Sequence, residues 1–506
     1  MIAGRLVTAI SLAAAALLVA PGAASAATAY VDDDAAGNGG DCLSPATACK
    51  TLAGVDGGLF KAGAGGTVMV DGGTYNESFI LSGDRSLIHQ EFGALDPPAI
   101  VNGGGQPAIE VPNGGSAGTV QGLTIRGSEG SLKALGPVTV TGNTFDDDAG
   151  TFVSTQGSLH LEDDAAQYEV TGNTFVDPTP SDDRYGIKAV LSGTATLRAY
   201  DNTFNGLQQG IHAEASPKRP AEISRNTFTG IHSRSDESAP GIAISLTGIQ
   251  AFLERNSMSS PNVFQGETDG VAADNGSLTL YRNRIRDHST AVKACGNTFA
   301  TLNGDVLWNN GVGVFEQDCP GDDPVRITSS VLWGNTFADV HMIGGEVQID
   351  SSILSNAISK AGSALTPFVC TIAFSRGSST AGTDPDGCDG FQTSADPGFV
   401  NPSAAVGDFH LTPSSPMVDA GNPGMSTFMV FDPDDDPRTL DGNCDGVTRP
   451  DIGADELLRD CSAQQPPQVG PGPGTAPAKP KCKRKGKRKR SGAAKKRRCG
   501  KKKRRR

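Results

Sequence analysis

A short alternation of apolar and polar residues recurs along the chain, and each copy ends in Asn followed by an apolar residue. The clearest copies are VTVTGNTF, YEVTGNTF, LRAYDNTF and AEISRNTF, which end at Phe145, Phe175, Phe204 and Phe228. Looser copies follow as FLERNSM, LTLYRNRI, VLWNNGV, VLWGNTF and ILSNAI. Alternation with a period of two predicts short β-strands with one buried face. The body of the chain is therefore predicted to consist of repeated strands.

The Asn residues that align in these copies are 21 to 30 residues apart. They are Asn143, Asn173, Asn202, Asn226, Asn256, Asn283, Asn310, Asn335 and Asn356. A repeat this short predicts a solenoid in which each strand pairs with its copies in the coils above and below, about 4.8 Å away. We expect the Asn to lie at a corner, where its amide can bond to the same amide one coil away.

A second short strand often follows each copy, as in GIKAV, GIHAE, GIAIS and GVAAD. Alternation predicts that one residue of each segment faces inward, namely Ile187, Ile211, Ile242 and Val271. Lys188 and His212 then face outward, and their column is expected to continue as Ala243 and Ala272.

Composition agrees with a turn-rich β protein. Glycine supplies 65 of the 506 residues, which is almost double its usual share of about 7%. Hydrophobic residues make up 37% of the chain, which excludes bulk disorder and a membrane-spanning body. Many short strands joined by tight turns are the remaining interpretation.

The repeats resemble those of the right-handed parallel β-helix superfamily, the fold of pectate lyases and many secreted bacterial surface proteins. The segment CKTLAGVDGGLFKAGAGGTVMVDGGTYNES, which begins at Cys49, is similar to the usual start of such chains. The resemblance implies an all-β fold with an N-terminal cap over residues 27–65 and a β-helix over residues 66–395. Residues 50–62 are expected to form the capping helix.

The C-terminal part carries a second resemblance. DPGFV, GDFHLTPSSPMVDAG and RPDIGADE occur in this order, and they resemble the domain called choice-of-anchor Q. Asp455 stands where that family usually shows an aromatic residue. The resemblance implies a small β-rich domain over residues 396–461 and presentation at a surface. A Pro/Gly-rich linker (462–478) and a disordered Lys/Arg-rich tail (479–506) follow.

The first 26 residues have the features of a secretory signal peptide. Arg5 precedes an apolar run, and Ala24-Ser25-Ala26 offers small residues for cleavage. The later sequence contains no apolar stretch long enough to span a membrane. We therefore expect an exported, extracellular monomer, either free or associated with the cell envelope.

The net charge of −13 hides an uneven distribution. The tail holds 19 of the 43 Lys and Arg residues, and all 56 acids precede it. We expect this tail to bind polyanions non-specifically, such as wall polymers, acidic polysaccharide or extracellular DNA. The alternative is a tail that is merely solvated.

The ten cysteines fall in sequence-local couples, and an oxidising location predicts disulfides. The couples are Cys42/Cys49, Cys295/Cys319, Cys370/Cys388, Cys444/Cys461 and Cys482/Cys499. Metal binding is the alternative, but the sequence contains no CxxC pair.

The best catalytic constellation is Lys188 and His212, which are expected on neighbouring coils, with Glu214 two residues further on. A base, a cation and an acid on one groove suit the binding or deprotonation of an acidic sugar. Arg184 and Lys218 are near in sequence and are candidate substrate-binding residues. The alternative is an ordinary solvated β-face.

A second candidate substrate-binding cluster lies in the long insert after Phe228. It contains His232, Arg234, Asp236 and Glu237. Long inserts of a coil form groove walls, where ligands lie, whereas the alternative is a polar loop.

Asp441, Asn443 and Asp445, followed by Gly, have the spacing that opens an EF-hand-like calcium loop. Asp451 falls one residue short of the twelfth position, so the EF-hand pattern is incomplete. A calcium ion held here would be structural, and an ordinary acidic turn is the alternative. The sequence predicts no other cofactor.

Three functional classes follow from the sequence. The first is a non-catalytic exported protein that binds glycans or decorates the cell surface, because no complete lyase or hydrolase motif is present. The second is a lyase or glycoside hydrolase that acts on an acidic polysaccharide through Lys188, His212 and Glu214. The third is a structural spacer.

Overall fold

The computed structural model of the protein describes most of the chain between residues 26 and 461. The described residues are 26–92, 97–127, 130–146, 157–177, 184–234, 239–260, 267–317, 324–343, 345–360, 369–377, 392–393, 396–424 and 430–461. Their strands stack in parallel, coil upon coil, around one apolar core that runs from Ala29 to Ile358. The predicted right-handed parallel β-helix is confirmed. The predicted signal peptide, linker and tail lie almost entirely outside the described residues.

The coils have three faces, and the first face contains the GIxA-type strands. These strands are Phe79–Ile80, Ile109–Val111, Leu132–Ala134, Leu159–Asp163, Tyr185–Leu191, Thr268–Asp274, Thr290–Cys295, Val312–Gln317, Ala338–Met342 and Ile358–Lys360. Two longer strands, Gln209–Ser224 and Gly241–Glu254, begin on this face and continue onto the next one.

The second face is formed by the alternating strands that precede the recurrent Asn. They are Thr28–Val31, Thr67–Val70, Arg85–His89, Ala117–Gln121, Thr139–Thr141, Gln167–Thr171, Thr196–Tyr200, Ser277–Tyr281, Phe299–Asn303, Val325–Thr328, Glu346–Asp350 and Val369–Ala373.

The third face is formed by the short strands that follow the recurrent Asn. They are Gly73–Tyr75, Ala99–Asn102, Thr124–Arg126, Thr144–Asp146, Thr174–Val176, Thr203–Asn205, Thr227–Thr229, Ser257–Ser259, Arg284–Arg286, Val306–Trp308, Val331–Trp333, Ile353–Leu354, Arg376–Gly377 and Gln392–Thr393. Four Phe residues of this face, from Phe145 to Phe228, stack inside the core with ring centroids 4.6 to 4.8 Å apart. The spacing equals the rise of one coil, so each Phe packs on its copy in the next coil.

The N-terminal cap contains a short helix, Gly58–Ala62, and a 3-10 turn, Pro45–Thr47. The predicted helix over residues 50–62 is therefore wrong in its first part. The backbone N–H groups of Leu52 and Ala53 donate to the carboxylate of Glu77 at 3.0 and 2.8 Å instead of entering a helix.

A ladder of buried Asn side chains runs along the corner between the second and third faces, as predicted. From Asn143 to Asn283, each amide donates to the Oδ1 atom of the next member at 2.9 to 3.1 Å. Because each Asn also accepts a backbone N–H of the preceding coil, the ladder satisfies groups that would otherwise be buried without partners.

The predicted continuation of this ladder is wrong. Asn283 donates to Asp305, and the same corner then holds Ser330, Ser352 and Ser375. Three predicted members belong to another corner, where they follow the third-face strands instead of preceding them; these are Asn310, Asn335 and Asn356.

The first-face register also differs from the prediction at one coil. Ile244, not Ile242, pairs with Ile211, and Ile242 pairs with Gln209. Ala243 takes the buried position that Gly occupies in the two preceding coils, so the outward column continues from His212 to Ser245.

Residues 396–460 belong to the same compact unit as the coils. They contain one antiparallel pair, Phe399–Asn401 with Asp408–Leu411. Their apolar side chains pack on the outside of the third face in a second cluster, whose third-face members are Val306, Trp308, Val331 and Ile353. The division of the chain at residue 396 stays a prediction.

Two predicted disulfide couples are confirmed. Cys42 and Cys49 are bonded, with Cα atoms 5.2 Å apart, and Cys444 and Cys461 are disulfide-bonded. Cys370 is also disulfide-bonded, but Cys388 lies outside the described residues, as do Cys482 and Cys499.

The predicted disulfide of Cys295 with Cys319 is not formed. Cys295 is a half-buried free thiol at the end of its strand, where its register neighbours are Asp274 and Gln317. Cys319 lies outside the described residues.

Candidate functional site

A groove of about 740 Å³ runs along the second face of the C-terminal coils. Two outward-facing columns of side chains line it, and each column is in register from coil to coil. The first column is Phe252, Thr279, Thr301, Arg326, Gln348 and Thr371. The second column is Tyr281, Asn303, Thr328, Asp350 and Ala373. We call this the second-face groove.

The lining of the second-face groove combines aromatic, hydroxyl and amide groups. Phe252 is 37% exposed although it is a large apolar residue. The Arg326 guanidinium lies 5.2 Å from the centroid of the Phe299 ring, and its Nε donates to Gln348 Oε1 at 3.0 Å. These contacts hold the charged end of Arg326 in place beside the groove.

Residues of the C-terminal segment form one wall of the groove, where Val430 lines it. The Tyr281 hydroxyl donates to the Phe431 carbonyl at 3.2 Å. The buried Arg282 donates to the Asp432 carbonyl at 3.1 Å and to Asp435 Oδ1 at 2.8 Å. The wall is therefore attached to the coils by hydrogen bonds and charge.

A second hollow of about 410 Å³ continues the groove toward the N-terminus and shares Phe252 with it. Its lining includes Arg198 and Glu222, which form an ion pair of 3.6 Å. From Glu169 to Thr371 the column spans eight coil-to-coil steps. At about 4.8 Å per step this is a track of about 38 Å.

The structure brings together the three predicted catalytic residues on the first face. Lys188 and His212 are register neighbours on adjacent coils, as predicted. His212 Nε2 lies 4.0 Å from Glu214 Oε2, and its Nδ1 lies 3.2 Å from Ser245 Oγ. Burial lowers the pKa of His212, Lys188 lowers it further, and Glu214 opposes the shift. The imidazole is therefore neutral near pH 7 and able to accept a proton.

The predicted substrate-binding residues do not join this group. Arg184 is buried and pairs with Asp177 at 3.3 Å. The buried ring of His232 contacts the carbonyls of Ser233 and Gly206 at 3.0 and 3.2 Å. Both side chains are buried, and their role in substrate binding stays a prediction.

Lys218 and Arg234 are not part of the catalytic group either. Lys218 donates to the Gly276 carbonyl at 3.4 Å, and the Arg234 backbone N–H bonds to Ala239 at 3.1 Å. Asp236 and Glu237 lie outside the described residues.

The predicted calcium residues differ in exposure. Asp441, Asn443 and Asp445 share one exposed turn, where Asp441 and Asn443 accept the Asp445 N–H at 3.0 and 2.8 Å. Asp451 is buried, and its carboxylate accepts the N–H groups of Asp419 and Leu457 at 2.6 and 2.8 Å. The role of these four residues as calcium ligands stays a prediction.

Two further groups of ionisable residues lie outside the main predicted sites. Asp269, buried on the first face, lies 3.9 Å from Lys293, and burial raises its pKa to about 6, against the opposing charge of Lys293. His410 lies between Asp408 and Asp434, at 2.5 and 3.0 Å. The alternation of polar residues along a strand occurs on every coil and does not distinguish Asp269. Asp434 belongs to the acidic run DPDDD, but the sequence does not place this run beside His410.

No helix among the described residues is long and apolar enough to cross a membrane. No family model and no curated protein matches the chain, so the resemblance to choice-of-anchor Q has no support from these comparisons.

Two solved structures are similar to the chain in backbone course. A rhamnogalacturonan lyase matches with a TM-score of 0.35 and 10% identity over 75% of this chain and 92% of that one. The crystal structure of pectate lyase Pel9A matches with a TM-score of 0.37 and 12% identity over 85% of this chain and 96% of that one. Neither likeness bears on the activity of this chain.

Proposed function

We propose that this is an exported, non-catalytic β-helix protein that binds glycans along the second-face groove. The observation that carries the proposal is a long open groove whose two lining columns repeat in register from coil to coil. A linear polymer presents the same groups at regular intervals, and a groove with repeated side chains meets such a polymer at several points.

The chemistry of the lining suits a sugar chain. Thr279, Thr301 and Asn303 supply hydroxyl and amide groups that both donate and accept hydrogen bonds. Phe252 and Tyr281 supply apolar surface against which the C–H face of a sugar ring packs. Sites for small ligands generally combine apolar walls with a few fixed polar groups, as this groove does.

The same lining argues against hydrolysis in the groove. Among the described residues that line it, Asp350 is the one carboxylate. It already accepts hydrogen bonds from Ser351 and Asn422, both at 2.8 Å. Glycoside hydrolysis generally needs a pair of carboxyl groups on either side of the scissile bond.

A lyase or hydrolase acting on an acidic polysaccharide is the second candidate, and it would use the first face. The favourable observation is that His212, whose pKa is lowered by burial, lies 4.0 Å from Glu214 and is the register neighbour of Lys188 on the adjacent coil. In this candidate His212 removes a proton from the sugar and Lys188 stabilises the charge that develops.

The ends of the chain complete the proposal. The signal peptide exports the protein, and the basic tail attaches it to anionic polymers of the envelope. The turn at Asp441, Asn443 and Asp445 holds a structural calcium ion. A structural spacer that binds no glycan is the remaining alternative.

The test measures retention and chain length for neutral and uronic polysaccharides incubated with the full mature protein, in low and high salt. Neutral polymers isolate the groove, because the tail binds polyanions by charge. We expect retention without shortening, weakened by up to about tenfold in Phe252→Ala, since one aromatic contact contributes about 0.5–1.5 kcal/mol.

Phe60→Ala is the matched control, because Phe60 is 61% exposed on the capping helix, away from the groove. Shortened chains that disappear in His212→Ala would establish the enzyme instead. Equal retention by both Phe variants would place binding outside the groove.

A further inference from the structure

Three segments of the C-terminal part bring ligand-type side chains to one point. His410 lies on the strand Asp408–Leu411, Asp434 lies in the turn after Asp432, and Asp455 lies near the end of the described chain. One donor atom from each of these three side chains lies within 4.8 Å of the other two. Side chains of this kind converge where a cation is held or where they form an ion pair.

The arrangement of His410 favours a metal ion. Its Nδ1 lies 2.5 Å from Asp408 Oδ1, whereas its Nε2 faces Asp434 Oδ2 at 3.0 Å and Asp455 Oδ1 at 4.0 Å. A metal-binding imidazole generally donates its other N–H to a carboxylate, which fixes the tautomer. Asp408 supplies this partner, so Nε2 is directed toward the two remaining carboxylates.

Asp455 gives an independent indication. It is only 9% exposed, and its Oδ2 accepts the Leu411 N–H at 2.8 Å. Its Oδ1 has no hydrogen-bond donor among the described residues and points toward His410 Nε2. The two atoms are 4.0 Å apart, and a cation between them would contact both.

The distances fit a small ion. Two ligands of a tetrahedral zinc ion, each about 2.1 Å from the metal, are about 3.4 Å apart. The distances from His410 Nε2 to Asp434 Oδ2 and Asp455 Oδ1 are 3.0 and 4.0 Å, on either side of this value. The side chains of His410 and Asp434 are 51% and 50% exposed, so an ion can enter from solvent and Asp434 can rotate toward it.

Charge also calls for a divalent cation. Asp408, Asp434 and Asp455 carry three negative charges, which Arg284 and, when protonated, His410 partly offset. A divalent ion bound to the neutral imidazole would take the place of the charge on His410. One nitrogen and two carboxylate oxygens suit zinc or a similar transition metal, whereas calcium takes oxygen ligands.

We propose that His410, Asp434 and Asp455 bind a divalent transition metal of the zinc class, with Asp408 orienting His410. The site does not depend on glycan binding. The site joins three segments of the C-terminal part. The residue next to Asp434 is Asp435, and Asp435 pairs with Arg282 and Arg255 of the coils. Metal binding therefore strengthens the attachment of the groove wall.

The test loads the full mature protein with zinc chloride, removes free metal by dialysis and measures bound zinc by elemental analysis. The same samples are loaded with cobalt(II), whose visible absorption reports nitrogen and oxygen ligation. His410→Ala and Asp434→Asn are the test variants. Asp34→Asn in the exposed N-terminal cap is the matched control, since it removes an acid far along the chain from the site. Near-ultraviolet circular dichroism confirms that each variant is folded.

We expect each test variant to bind one zinc ion fewer per chain than the wild type and to lose the cobalt absorption, while the control keeps both. Zinc held by tail cysteines is common to all variants and cancels in the difference. A wild type that binds no zinc overturns the proposal, as does either folded test variant that retains the ion. If His410→Ala fails to fold, Asp434→Asn still tests the proposal, because the half-exposed Asp434 side chain can be replaced without disturbing the core.

Discussion

Asn283 and Asp305 occupy the same buried corner on adjacent coils, and Asn283 Nδ2 donates to Asp305 Oδ1 at 2.9 Å. The Asp305 carboxyl also accepts the N–H groups of Asn283 and Asn303, at 2.7 and 2.8 Å. An ionisable group thus replaces an amide within the ladder at this coil. Burial raises the pKa of Asp305 to about 7, although these hydrogen bonds favour the charged form.

Stability should therefore depend on pH through Asp305. The folded state keeps the carboxyl protonated between about pH 4 and pH 7, where the unfolded chain has lost that proton. Because the folded state binds more protons in this range, the free energy of unfolding falls as pH rises from about 4, and the decrease is complete once pH has passed about 7.

Asp305→Asn should reveal this dependence. The variant loses the bond from Asn303 at every pH, so it should be less stable than the wild type at pH 5. Between pH 5 and pH 8 the difference in free energy of unfolding between the two proteins should shift by up to about 3 kcal/mol in favour of the variant. Urea unfolding of both proteins at the two pH values measures the change, with the exposed Asp396→Asn as control. A difference that is the same at both pH values would contradict the prediction.

Asn202→Ala should destabilise the protein by roughly 3 kcal/mol or more. The Asn202 side chain bonds to Asn173, Asn226 and the Val170 carbonyl, so its removal leaves several buried groups without partners. Asn356→Ala is the control, since Asn356 is half-buried and donates to a single carbonyl; it should cost about 1 kcal/mol. Equal losses in urea unfolding would show that the ladder contributes little.

Arg326→Gln should change the selectivity of the groove. Removing the cation should weaken retention of uronic polysaccharide by about tenfold in high salt, which suppresses binding by the tail, because hydrogen bonds to charged groups contribute about 1.5–3 kcal/mol. Retention of neutral polymers should stay within about twofold, since the amide keeps some polar contact. Affinity gel electrophoresis measures both, and Lys50→Gln on the exposed cap is the control. Parallel losses for both polymers would mean that Arg326 acts on folding alone.

Arg282→Gln should loosen the wall of the groove. Arg282 is buried, and its loss leaves Glu254 and Asp435 without their shared partner. Losing hydrogen bonds to a charged group generally costs about 1.5–3 kcal/mol. Limited proteolysis should then cleave the segment after residue 430 faster than in the wild type, and glycan retention should fall.

Arg225→Gln is the control for this experiment, because Arg225 pairs with Asp201 in solvent at 2.7 Å. An exposed pair of this kind contributes little to stability. Unchanged proteolysis in Arg282→Gln would show that the apolar cluster alone holds the segment.

The amino-acid pattern predicted the fold well and the site poorly. The recurrent Asn and Phe identify a coil because each copy contacts the next one, about one repeat away in sequence. The register at Ile244 was not predictable, since two Ile residues in GIAIS both fit the alternation. Packing against Ile211 decides between them, and that contact is not visible in a single strand.

The second-face groove was missed for a different reason. Phe252 and Arg326 are outward residues like many others until the C-terminal segment packs beside them. Which face receives that segment depends on contacts such as Tyr281 with Phe431, which are 150 residues apart. Local alternation carries no information about such pairs, whereas the neighbouring positions of Lys188 and His212 follow from one repeat.

The attachment of the wall has a consequence for the order of events during synthesis. Asp435 contacts Arg255, a residue made 180 positions earlier. Coils pair only with their neighbours, so they can form one after another as the chain emerges from its N-terminus. The wall of the groove is made only when residues 430–435 have been added. A chain truncated before residue 430 would therefore have a complete stack of coils and an open-sided groove.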